Sequence, residues 1–202
     1  MKKTIVFILM ICLVLGFSAC EHKLVNTKTE TNEKGIKSNS EYTFFETVAD
    51  WPYYETAEEL TDTATDVYIG KVKEISFVII DRETNEPADI NSVQGGESSA
   101  LYTVYTVEIT DSFKGEKKDE VKIKVNGGLP GYKEDEQYKL QESLGSSIIP
   151  VWDKNLEQLE IGSEYVFCTI HKYGSFEIIP SLYQFAFQID SANAKAVLAC
   201  IK

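Results

Sequence analysis

The chain has 202 residues, 43% of them hydrophobic and 26% charged, with a formal net charge of −12. That length suits one domain of about 150 residues with accessory segments and argues against a multidomain machine. Net acidity with Arg82 as the sole arginine excludes nucleic acid as a partner, because phosphate binding needs clustered Lys and Arg to displace counterions.

Residues 1–20 have the build of a secretory signal. Lys2 and Lys3 precede an apolar run over 5–17, and the small residues Ser18 and Ala19 lead into Cys20. The run is shorter than the roughly 20 residues a membrane span needs. Phe17-Ser18-Ala19-Cys20 resembles the lipobox of bacterial lipoproteins. The resemblance implies that residues 1–19 are removed and that Cys20, now the first residue, carries a thioether-linked diacylglycerol. The alternative is an ordinary cleaved signal with an incidental Cys. Two acyl chains turn marginal membrane binding into stable anchoring. Loss of Lys2 and Lys3, with no acid lost, moves the net charge from −12 to about −14. Anionic lipid repels such a body, so the expected membrane contact is the lipid alone, on the extracytoplasmic face.

Residues 21–40 are polar, and Leu24, Val25 and Ile36 are their only sizeable apolar side chains. Nothing there recurs at helical or strand period, so 20–41 reads as a flexible tether with a reach of roughly 25 Å. His22 in that tether is no ligand. A single domain over 42–202 follows.

The domain opens on an aromatic-rich stretch with Tyr42, Phe44, Phe45, Trp51, Tyr53 and Tyr54. Thr56 and Glu59 have the spacing of a capping box, which predicts a short helix over 57–64. A long strand is expected from Asp66, with its apolar phase shifting near Gly70 as a bulge would produce. After a polar loop over 81–99, Leu101, Thr103, Tyr105, Val107 and Ile109 share one face of a second long strand. Val121, Ile123 and Val125 alternate with Lys122 and Lys124, the pattern of a half-exposed strand. Residues 132–160 are not legible beyond a charged run, an apolar patch at 148–152 and a turn of helix near 155–160. Strands are expected again over 164–170, 175–179 and 182–189. Asp190 or Ser191 then caps a C-terminal helix.

Together these predict a mainly β fold, a small β-barrel with flanking short helices. Asp66-Val67-Tyr68-Ile69-Gly70-Lys71-Val72 resembles the first-strand signature of bacterial netrin-like domains, which are related in fold to tissue inhibitors of metalloproteinases. Tyr102-Thr103-Val104-Tyr105-Thr106-Val107-Glu108-Ile109 with Phe113-Lys114-Gly115 is similar to their second strand. Residues 159–167 resemble the entry to their fourth. The resemblance spans about 66–185 and implies an OB-fold-like, netrin-type barrel. The animal inhibitors chelate a protease metal through a free N-terminal Cys. Here that position is the expected lipid site, so the inhibitory residues do not carry over.

Catalytic chemistry finds no constellation in the sequence. Two histidines and four cysteines leave little for a metal site, and no Cys or His pairs lie at zinc spacing. There is no nucleophile elbow and no phosphate-cradling glycine loop. His171 falls in an expected hairpin turn, and Glu134-Asp135-Glu136 lacks the glycine and spacing of a calcium loop. No catalysis and no cofactor are expected. Cys168 and Cys200 could bridge outside the cell or stay as buried thiols. The aromatic content is the remaining lead. On the second strand, the face opposite the core carries Tyr102, Val104, Thr106 and Glu108, and with Tyr132, Trp152, Tyr173 and Tyr183 it offers a stacking surface for a sugar or peptide. Alternatively these tyrosines close the ends of a small barrel. The expected function is therefore a membrane-anchored, non-catalytic module binding a protein or peptide partner. The competing expectation is a binder of envelope glycans or another small ligand.

Overall fold

The computed structural model describes residues 23–24, 42–47, 50–89, 98–153 and 158–201. Among them the order is β1 (Thr43–Glu46), α1 (Ala57–Thr63), β2 (Asp66–Asp81), β3 (Glu86–Pro87), β4 (Ser99–Lys114), β5 (Glu120–Asn126), α2 (Glu134–Ser143), β6 (Ile148–Val151), β7 (Glu164–Thr169), β8 (Glu177–Ile178), β9 (Ala186–Gln188) and α3 (Ala192–Cys200). The protein is mainly β. The signal segment and Cys20 lie outside the described residues, as do 155–157 of the turn of helix expected over 155–160, whose remaining residues are irregular.

The main sheet runs β8-β5-β4-β2-β7-β9, with β3 pairing onto β2. Its ladders form an open path and do not close into a barrel. The end of β7 nevertheless returns to β8. Ile170 and Ile178 exchange backbone bonds of 2.8 and 2.9 Å in an isolated antiparallel bridge. β5 and β8 are parallel, and the other pairings within the path are antiparallel.

Strand β2 is 16 residues long, and its register against β4 shifts at three points, one of them between Ile69 and Gly70. The bulge forms there because the strands approach closely. A Cβ on Gly70 would lie 2.4 Å from the Val107 side chain. The capping box at α1 is present, with the Glu59 amide donating to Thr56 Oγ1 at 3.2 Å and Glu59 Oε2 accepting from the Thr56 amide at 3.3 Å. At α3 the cap is Ser191, whose hydroxyl accepts from the Ala194 amide at 3.1 Å.

Three apolar clusters hold the sheet. The principal core lies on its inner face and gathers Tyr68, Ile75, Leu101, Tyr105, Ile123, Ile149 and Phe167. A second packs α1 and α3 against β7 through Leu60, Val166, Cys168, Phe187 and Val197. The third, on the outer face, holds Ile80, Tyr102, Val104 and Phe176.

Three expectations change. Lys23 and Leu24, placed by the sequence in a flexible tether, lie on the domain. Lys23 bridges Thr56, the Leu24 amide donates to the Glu55 carbonyl at 3.1 Å, and the Leu24 side chain is only 7% exposed in the second core. Within the illegible run, residues Glu134–Ser143 form α2, which hydrophobic periodicity did not reveal because a glutamine anchors it. Buried Gln137 accepts from the Leu129 amide at 2.9 Å and donates to the Leu129 and Tyr132 carbonyls. Gly128 leaves room for it, since a Cβ there would lie 2.2 Å from Gln137 Oε1. The strand expected over 182–189 shrinks to β9. Leu182 and Phe185 are buried in the core from a turn, where Gln184 takes up Tyr54 by bonds of 2.8 and 2.9 Å.

Candidate functional site

The outer face of the sheet carries a groove of about 290 Å³ across β2, β4 and β5. Register sets its floor in rows. Ser76 lies opposite Val104, and Val104 opposite Lys124; Glu74 lies opposite Thr106, and Thr106 opposite Lys122. Phe176 and Pro87 form a wall at one side. The size falls at the small end of ligand pockets, and the lining is more polar than most such pockets carry. Glu74, Glu120 and Lys122 line it with one lysine against two carboxylates, so the groove is acidic on balance. Such a surface suits an extended polar chain with a basic side chain.

The wall is held by a buried amide. Asn85, in the left-handed conformation at the β2–β3 turn (φ 58°), donates through Nδ2 to the carbonyls of Tyr173 (2.6 Å) and Phe176 (2.8 Å). Asp81 closes the same turn by accepting from the Glu83 and Thr84 amides at 2.8 and 3.0 Å, which holds its carboxyl below the usual range. Phe176 is thereby fixed over the outer face of β4.

Of the residues the sequence nominated, Tyr102, Val104 and Thr106 do lie on the β4 face away from the principal core. They are 4%, 1% and 8% exposed, so they form a floor and not an open stacking surface. Val104 and Thr106 line the groove, and Tyr102 sits in the adjoining outer cluster. Tyr132 and Trp152 pack on the opposite side, against the principal core. Tyr132 meets Phe77 with ring centroids 6.2 Å apart. The nominated set is thus divided between two surfaces.

Trp152 belongs to an aromatic ledge. It meets Trp51 edge-on at 5.6 Å, and next to it Asp153 accepts from the Tyr183 hydroxyl at 2.7 Å. Desolvation of its hydroxyl where it meets Asp153, together with the Asp153 charge, pushes the Tyr183 phenol up to about 12, although the residue as a whole is 53% exposed. Phe45, Tyr53 and Tyr183 are exposed, as is Tyr173 on the loop beside Phe176.

Two features carry no signal in the local sequence pattern. Lys124, expected outside with Lys122, is only 8% exposed and holds its ammonium 4.7 Å from the Tyr102 ring centroid. The second is an ionic knot at the open end of β2. Glu177, 3% exposed, accepts from the Tyr68 hydroxyl at 2.9 Å, from the Thr169 hydroxyl and from Lys118 Nζ at 3.0 Å. Lys118 also lies 3.8 Å from Asp66. Every Glu177 oxygen has its donor, so the knot ties β2, β7 and β8 together.

The knot and the cores set an alkaline limit. Burial pushes the Cys168 thiol from 9.0 up to about 12 and raises Tyr68, on which the Glu177 charge acts in the same direction. Burial opposes the Lys118 charge, but Glu177, Asp66 and Glu116 outweigh it and raise that group too. A raised folded value means protons leave the unfolded chain first, so stability is full at neutral pH and falls as pH rises. Urea midpoints are therefore expected to hold up to about pH 9 and to drop above it. Cys168→Ala should flatten the first part of the fall, and midpoints unchanged to pH 11 would contradict the burial of these groups.

No protein-family model matches the chain, and no curated protein resembles it significantly in sequence.

Proposed function

We propose that this chain is a lipid-anchored extracytoplasmic protein whose folded part is a non-catalytic module binding an extended peptide segment of a partner. The groove on the outer face of β2, β4 and β5 carries this reading. Its floor is a rigid three-stranded sheet, its wall is fixed by Asn85, and its lining offers Ser76, Thr106 and two carboxylates to a polar chain. The fold in this reading is an OB-like barrel of netrin type. Parallel pairing of β5 with β8 and the Ile170–Ile178 bridge support it, since together they lead the chain of neighbours from β8 back to β7 and β2. The test is binding of a random tetrapeptide pool, read by amide NMR shifts. Shifts confined to 74–78, 104–106 and 120–122 are expected, and shifts spread elsewhere would overturn the reading.

The anchor in this proposal is Cys20, bearing diacylglycerol after removal of 1–19. Leu24 then alters the geometry that a free tether implies. Four residue steps separate Cys20 from Leu24, which span at most about 14 Å. The α1–α3 end of the domain would thus be held near the headgroups, not some 25 Å away. Leu24→Asp puts a charge into the second core and should release the clamp. The expected loss is about 2 kcal/mol in stability, together with a longer distance from a label at Glu58 to a quencher in the headgroups. An unchanged distance would contradict the clamp.

A second reading, binding of an envelope glycan, is favoured by the Trp51–Trp152 ledge beside Asp153 and Tyr183, which joins aromatic faces to a carboxylate as sugar stacking requires. Tryptophan fluorescence that does not respond to cell-wall oligosaccharides would dismiss it.

A further inference from the structure

Lys124 is among the least exposed charged groups of the described residues, and no carboxylate among them lies within ion-pair distance of it. Its side chain is 8% exposed, and its ammonium rests 4.7 Å from the Tyr102 ring centroid. The strand positions beside it are Val104 on β4 and Ile178 on β8, both apolar. Arg82 stands against the Tyr102 hydroxyl from the β2–β3 turn, where its amide is bonded to the Ser98 carbonyl at 2.8 Å. Among the described residues neither cation lies within ion-pair distance of an acid, although the chain as a whole is strongly acidic. Two cations on one phenol, one of them nearly buried, repel each other and cost desolvation. The Lys124 ammonium accordingly has its proton affinity lowered, by burial first and by Arg82 second.

We propose that Lys124 and Arg82, set around Tyr102, form an anion subsite at the end of the outer-face groove that takes a carboxylate group. The groove is lined by Val104, which lies opposite Lys124, and by Val78 and Phe176, which pack in one cluster with Tyr102, so the cation pair stands beside one end of the groove. A carboxylate suits the donors better than a larger anion. The Arg82 fork matches its two oxygens, and Lys124 supplies a point charge beside it. The subsite also gives the groove a direction, with cations at the Tyr102 end and Glu74 and Glu120 at the other. Resting on the reading of the groove as a peptide site, the carboxylate is the C-terminus or an acidic side chain of the bound peptide.

The test follows the side-chain NMR signals of Lys124 in protein bearing 13C-labelled lysine. The probes are acetate, chloride at equal ionic strength, and one tetrapeptide pool in free-acid and amidated forms. Acetate is expected to shift the Lys124 signals saturably where chloride does not. The free-acid pool should bind about tenfold more tightly than the amidated pool. Arg82→Gln, on an exposed side chain, should weaken the acetate response about fivefold. Lys124→Met removes the NMR reporter, so it is read by peptide affinity, and it should abolish the preference for the free-acid pool. An acetate response without preference between the pools supports the subsite, assigns it to a free small acid and removes the peptide reading. Equal acetate and chloride responses, or an unresponsive Lys124, overturn the subsite even if both peptide pools bind.

Discussion

Cys20→Ala is expected to abolish lipid attachment altogether, the largest single effect foreseen for this chain. Each buried methylene contributes about 0.8 kcal/mol, so two acyl chains hold a protein at the membrane essentially completely. Among the described residues no helix is long and apolar enough to cross a membrane. Intact-mass measurement of membrane-extracted protein provides the check. Wild-type protein should begin at Cys20 and carry the diacylglycerol mass, whereas the variant should carry none and keep residues 1–19. A wild-type chain that begins at or after Cys20 without a lipid adduct would refute the anchor. The amount recovered in the detergent phase should fall at least tenfold once the precursor is accounted for.

Ile123→Asp is expected to prevent the domain from folding. Ile123 is fully buried in the principal core, in the middle of β5, between Tyr105 on β4 and Glu177 on β8. Removing its side chain costs on the order of 2–5 kcal/mol, and an unpaired carboxylate in its place adds several more. The sum matches the whole stability of an ordinary domain, roughly 5–15 kcal/mol. Thermal melting followed by circular dichroism should show no cooperative transition. Lys122→Asp, one residue away on the exposed side of the strand, should melt within a few degrees of wild type. An Ile123→Asp protein with an unchanged melting temperature would reject the strand and its face.

The difference between those two positions is what the sequence expressed well. Strict alternation at 121–125 identifies the buried face because side chains of a strand alternate between its faces. The Thr56–Glu59 box and the Ser191 cap were equally readable, since capping rests on local chemistry. What alternation cannot convey is whether the second face is also covered. Lys124 looks like Lys122 in the sequence, yet β8 pairs beside Lys124 at Ile178 and the ring of Tyr102 faces its ammonium, so one is buried and the other open. Covering depends on Asn85 holding the carbonyls of a segment some 90 positions away, which no local pattern contains.

Helix α2 and the docking of Leu24 were hidden for related reasons. The helix is anchored by the amide of Gln137, and its apolar contacts are sparse, so it has no apolar stripe to detect. Leu24 is a lone leucine in a polar stretch, and its partners Leu60, Val166 and Val197 come from α1, β7 and α3. The candidate surface was half legible. Residues 102, 104 and 106 were rightly placed on the second face of β4, but Tyr132 and Trp152 belong to the other side, where they pack against the principal core.

Photo-crosslinking from the anchored protein on intact cells addresses binding through the outer-face groove most directly. A photoreactive residue at Lys122, on the groove rim, is compared with one at exposed Lys139 on α2 and with a Lys122 version in which Ser76→Trp fills the groove floor. A partner peptide captured from position 122, absent from position 139 and lost on filling the groove, is the predicted result. Capture that is equal at both positions, or that survives Ser76→Trp, would contradict binding through this face.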